Sequence, residues 1–113
     1  MNTLGPRLKQ RITLQDQTNE KDSDGNDSTV WTPWLVDEPA EVLYLSGREF
    51  IAAQSAQSQI TGRATIRWRP GVTASMRFLF DGGIFNIVSV LPDSSSRRWL
   101  TLMFEAGVDS GRR

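Results

Sequence analysis

The chain has 113 residues, which suits one domain, and 13 Lys plus Arg against 13 Asp plus Glu give a formal net charge of zero. It contains no Cys and no His. That excludes a disulfide framework, thiolate and imidazole metal sites, and Ser-His or Cys-His nucleophile pairs. Carboxylates, hydroxyls, one Tyr and two Lys remain for chemistry, and Arg outnumbers Lys 11 to 2. The N-terminus lacks the apolar run of a signal peptide, and no stretch approaches a membrane span, so a soluble, cytoplasmic protein without a membrane partner is expected.

The zero total hides an uneven distribution. Residues 1–15 carry Arg7, Lys9 and Arg11 without an acid and sum to +3. Residues 16–49 hold nine acids and two bases, giving −7, and residues 50–113 hold eight Arg and four acids, giving +4. A neutral chain with separated signs can present oppositely charged faces.

In chain order, Leu8 to Gln15 alternates apolar and polar residues, the pattern of a strand with one wet face. Residues 16–29 are polar, acidic and without period, and predict a long mobile loop turning near Asp24-Gly25. Strand-like pieces follow at Val30-Trp31, Trp34 to Val36 and Val42 to Leu45, interrupted by Pro33 and Pro39, which favours edge or bulged strand positions. Ser46-Gly47-Arg48-Glu49 has capping-box spacing, and the Ala- and Gln-rich segment after it predicts a helix over 47–58. Residues 60–69 alternate again, with Ala64, Ile66 and Trp68 on one face and Arg63, Thr65, Arg67 and Arg69 on the other. Asp81-Gly82-Gly83 between two apolar runs, 76–80 and 84–90, predicts a hairpin. A turn at 92–96 leads into a last strand, 97–105, apolar on both faces and therefore central or at an interface. The expectation is a mainly β single domain over 1–113, with its core at about 5–107 and a polar tail at 108–113. It would be a small antiparallel barrel or sandwich of five to six strands, with one short helix and a long acidic loop.

Few motifs carry chemistry. Asp22-Ser23-Asp24-Gly25-Asn26-Asp27 fails the calcium-loop pattern, because Gly and the closing Glu fall at the wrong positions. Asp37, Glu38 and Glu41 are close in sequence, yet nothing around them suggests the apolar pocket that raises a general acid's pKa. No catalytic residue, metal site or cofactor is assigned, and no enzymatic activity is expected. The Arg63, Arg67 and Arg69 row admits three readings: phosphate contact, pairing with acids of a neighbouring subunit, or an ordinary wet face.

The segments LSGREFIAAQ (45–54), ITGRATIRWRPGV (60–72), MRFLFDGGIFNIVSV (76–90) and RRWLTLMFEAG (97–107) resemble, in that order, the phage head–tail joining proteins. That family is also called head completion, adaptor or stopper proteins of long-tailed phages. With the basic strand GPRLKQRITLQ (5–15), the resemblance covers about 5–107. It implies a structural virion protein, made in the host cytoplasm. The protein would form a six- or twelve-fold homo-oligomeric ring, with a portal or adaptor above, a tail protein below and packaged double-stranded DNA in the channel. Under that reading Arg48, Arg63, Arg67, Arg69, Trp99 and Met103 are interface candidates. Ser46, Gly47, Arg48, Glu49 and Phe50 form a candidate channel-facing segment, or else part of a helix covering one barrel end. The alternative is an OB-like single-stranded nucleic-acid-binding barrel using the arginines and Trp side chains. An OB barrel places its helix between the third and fourth strands, whereas the helix here follows the second strand region.

Overall fold

The computed structural model describes residues 4–55, 59–94 and 96–107. The elements are α1 (Leu4–Arg7), β1 (Gln10–Lys21), β2 (Asp27–Tyr44), α2 (Gly47–Ser55), β3 (Gly62–Arg67), β4 (Arg77–Phe80), β5 (Gly83–Pro92) and β6 (Trp99–Ala106). The strands close a barrel in the order β1-β2-β3-β6-β5-β4, every ladder antiparallel, with β4 pairing back onto β1. Closure removes sheet edges from the barrel wall. The helix follows the second strand and precedes the third.

Alternation fixes the inside. Ile12 and Leu14, Ala40 and Val42, Ala64 and Ile66, and Leu100, Leu102 and Phe104 all point into one buried core. Phe78, Phe85 and Phe104 meet there with ring centroids 5.1–5.4 Å apart, stacked or edge-on. This spacing lets the ring edge of one aromatic meet the face of another. The β4–β5 hairpin turns at Asp81 and Gly82, both at positive φ, as a two-residue loop requires.

Three expectations are corrected. The acidic stretch 16–29 is not a loop. Residues up to Lys21 and from Asp27 belong to β1 and β2 and pair in register, from Asp16 with Thr32 to Lys21 with Asp27. A ribbon wet on both faces needs no apolar alternation, so the strand signal is missing from its sequence. Next, the separate strand-like pieces join into one strand, β2, in which Pro33 and Pro39 take the edge-like, bulge-adjacent positions expected of them. Both lie where β2 has only β1 as neighbour, since β3 joins β2 from Ala40 to Tyr44. Register shifts opposite Ile12, Leu14 and Gln15 absorb the extra residues, and Asp37 takes φ 55° there. Finally, the first strand begins at Gln10 rather than Leu8, after the single turn of α1, although Leu8 is buried as its pattern suggested. The expected end of α2 at 58 and the tail 108–113 lie outside the described residues.

Candidate assembly interface

Because Ala64 and Ile66 face the core, Arg63, Thr65 and Arg67 face outward on β3. On β6 the same logic turns Trp99, Thr101 and Met103 outward. The ladder sets Arg63 opposite Met103, Thr65 opposite Thr101 and Arg67 opposite Trp99. Leu43 of β2 pairs with Arg63, and Ser89 and Leu91 of β5 pair with Met103 and Thr101. Leu43, Leu91 and the bulged Val88 are 40%, 48% and 43% exposed. The outer wall of β2-β3-β6-β5 is thus an apolar patch carrying two guanidinium groups. Aromatic, Met and Arg side chains together are the mixture that protein interfaces favour at their centres. Four of the predicted interface residues, Arg63, Arg67, Trp99 and Met103, meet on this one surface.

The remaining candidates lie elsewhere. Arg69 follows the end of β3 and leaves the row, so the expected three-arginine face holds only Arg63 and Arg67. Its Nη2 lies 3.5 Å from Oε1 of Glu38, which is buried on the inner side of β2. The guanidinium neutralises a carboxylate that would otherwise be costly inside the barrel end. The Arg69 Nε is itself buried without a hydrogen-bond partner among the described residues. Arg48 is exposed in the first turn of α2. The predicted capping box is formed: the Ser46 amide donates to Glu49 Oε1 at 3.0 Å, and the Glu49 amide donates to Ser46 Oγ at 3.2 Å. The Ser46 amide foremost, then the Ser46 hydroxyl, with Arg63 3.9 Å away, hold the Glu49 carboxyl below its ordinary range. Arg63 so ties the start of α2 to the outer wall. The side chain of Phe50 lies outside the described residues.

The three neighbouring acids are separated by the fold. Glu41 faces outward and accepts both Nε and Nη2 of Arg7, which raises the Arg7 pKa. Glu38 points inward to Arg69, and Asp37 sits at the β2 irregularity. Among the described residues no group of three or more His, Cys, Asp or Glu is placed to hold a metal, and no helix is long and apolar enough to cross a membrane.

Sequence reasoning missed the second exposed feature, the ribbon formed by the outer parts of β1 and β2. Its base is anchored on the segment before β4 and on the first residue of β4. Gln17 Nε2 donates to the Ser75 carbonyl at 3.1 Å, the Arg77 guanidinium lies 4.3 Å over the Trp31 ring, and a Cβ on Gly71 would meet the Trp34 ring at 2.9 Å. Its tip is an Asx turn, in which Asp22 Oδ1 accepts the amides of Asp24 and Asn26, both at 2.9 Å, and Gly25 takes φ 85°. These amides, that of Asn26 foremost, lower the Asp22 pKa. The only usable signal in the sequence was Asp24-Gly25 at the centre of a symmetric polar run.

The profile of a family described as phage head completion protein matches residues 4–107. A solution structure of a protein from Shigella flexneri 2a is 26% identical, with a TM-score of 0.73, covering 91% of this chain and 96% of that one. A chain in the virion of a native gene transfer agent particle is 19% identical with a TM-score of 0.61, covering 91% of this chain and 98% of that one, a likeness of fold. No curated protein sequence matches.

Proposed function

The chain belongs to the phage head completion proteins, and from that premise we propose that it is a ring-forming connector between head and tail. In this reading identical copies assemble beneath the portal or an adaptor after DNA packaging, extend the channel, keep the genome in and present a docking surface to the tail. It works in the virion by contact alone and turns over no substrate. The fold it shares with a chain of a gene transfer agent virion supports placement in a particle.

The observation that carries the proposal is the outer wall of β2-β3-β6-β5. A closed barrel needs no apolar side chains outside, yet Leu43, Val88, Leu91, Trp99 and Met103 gather there around Arg63 and Arg67. A ring of identical subunits joins one surface to a different surface of the next copy, and segregated charge on a neutral chain suits that arrangement. Zero net charge also suits a channel through which DNA slides, because each neutralised phosphate adds affinity and friction. Arg48, at the exposed start of α2, is assigned to a portal- or channel-facing contact. Arg69, tied to Glu38, is assigned to holding the barrel end from which such contacts are made.

The test is charge reversal on the wall. Arg67→Glu is expected to leave the melting temperature near that of the parent while abolishing the formation of infectious particles in a complementation assay. Normal particle yield with that variant would overturn the assignment of the wall.

A further inference from the structure

Two oppositely charged features of the same chain do not meet within it. The first is the ribbon. Six ladder pairs, Asp16–Thr32 to Lys21–Asp27, extend past the last contact of β1 with β4 at Gln15. At about 3.3 Å per residue they reach about 20 Å beyond the barrel wall. The ribbon and tip carry Asp16, Glu20, Asp22, Asp24 and Asp27 against Lys21 alone. Lys21 and Asp27 pair with each other at 2.9 Å, and the other four acids form no ion pair among the described residues.

The second is a basic rim at the barrel end where β3 stops and β6 starts. Arg67 lies opposite Trp99, the Trp68 amide donates to the Arg98 carbonyl at 3.0 Å, and the Arg97 guanidinium stands 5.5 Å over the Trp68 ring. Arg67, Arg97 and Arg98 are all exposed, and none forms an ion pair among the described residues. The one acid in the rim, Asp93, is occupied by the Arg98 amide at 3.0 Å and the Ser96 hydroxyl at 3.1 Å. Trp68 and Arg97, with Pro92, Asp93, Ser94 and Ser96, line an open hollow of about 460 Å³ beside these arginines.

We propose that the acidic ribbon of one copy docks on the Arg67–Arg97–Arg98 rim of a second copy of this chain. Three arguments select that occupant. The charges are complementary, four acids without an ion pair among the described residues against three arginines. A two-stranded ribbon standing alone is only marginally stable in water, and both of its long edges carry unpaired backbone groups, so a covering partner completes it. The reach of about 20 Å from the ladder spacing also suits a neighbour whose short dimensions are 32 and 25 Å. The contact is heterologous, ribbon to rim, and therefore propagates around a ring rather than closing a dimer. The inference rests on the ring proposed above and names the surfaces that join it.

The chain has no cysteine, so introduced ones report without background. Glu20→Cys and Arg67→Cys are placed on separate copies, mixed at high concentration and, in parallel, co-assembled into particles, then oxidised mildly. The expected result is a disulfide-linked pair formed only between the two variants. Its yield should fall about tenfold when the partner sites Asp24 and Arg97 become like-charged by Asp24→Arg, and recover with Arg97→Asp. A ring seen in particles without that cross-link overturns the docking surface and spares the ring. Absence of any oligomer of the unsubstituted chain, free or in particles, overturns the ring itself. A rim that binds duplex DNA while the cross-link stays absent overturns the proposal by assigning the arginines to phosphate.

Discussion

The barrel and the ribbon are made from the same two strands and obey different rules. Where β1 and β2 belong to the barrel, Ile12, Leu14, Ala40 and Val42 alternate inward and are almost wholly buried. Past Gln15 the same strands carry Thr, Asn, Gln, Asp and Glu on both faces, and everything from Gln17 to Thr29 is exposed. The barrel is held by burying apolar area, the dominant favourable term in folding. The ribbon is held by its ladder, by the Asp22 turn and by side-chain contacts at its base. A structure of the second kind has little reason to exist for its own stability. Its persistence in a small chain points to a use outside the barrel.

The contrast is sharpest where the core is cut. Phe104→Ala removes the ring shared by Phe78, Phe85 and Tyr44. It should cost about 3–5 kcal/mol, read as a lower urea midpoint. An unchanged midpoint would mean that the aromatic cluster does not organise the barrel. Gly62→Ala should come next. A Cβ there would strike the Leu43 carbonyl oxygen and approach Phe104 Cζ to 2.8 Å, so β2 and β3 must move apart. The expected loss is about 1–3 kcal/mol in the same assay.

On the ribbon the effects should be small for stability and local in extent. Trp31→Ala deletes the cation–π contact with Arg77, worth about 0.5–1 kcal/mol at an exposed site. Hydrogen exchange should quicken from Thr18 to Val30 while the β3 and β6 amides keep their protection. Loss of protection throughout would show that ribbon and barrel are one cooperative unit. The smallest effect is pH dependence at the ribbon tip. The Asp22 carboxyl is lowered from an ordinary value of 3.8, so its contribution is complete above that value and is lost as pH falls through its lower native value. Acidification should therefore release the Asp24 and Asn26 amide resonances late, below pH 3.8. Release above it would contradict the turn.

The barrel was legible for a physical reason. Its strands bury one face, so Leu8 to Gln15 and 60–69 wrote period-two patterns into the sequence, while 97–105 showed itself by apolar residues on both faces. The capping box at Ser46 and Glu49 and the Asp81-Gly82 turn are likewise local, set by residues three positions apart or fewer. Other features were not local. Ladder pairing shaped the ribbon without hydrophobic pressure, so its residues looked like a loop. Pro33 and Pro39 divided β2 into pieces in the sequence; the edge-like, bulged placement they favour was legible, but the continuity of the strand through them came only with its pairing to β1. Arg69 read as part of an outward row because its partner, Glu38, is 31 residues away. Of the proposed assembly surface, the row of Arg63 and Arg67 was visible beforehand. Its apolar frame from Leu43, Val88 and Leu91 came only with the barrel register, which joins three distant segments.

The central claim is a ring whose copies are joined by the outer wall and the ribbon, and electron cryomicroscopy of the assembled particle tests it most directly. The account predicts a closed ring of this chain between portal and tail, with Arg67 and Trp99 covered at each subunit contact and each ribbon lying on its neighbour's basic rim. A particle holding single unjoined copies, or a ring that leaves Arg67 and Trp99 bare to solvent, would contradict it.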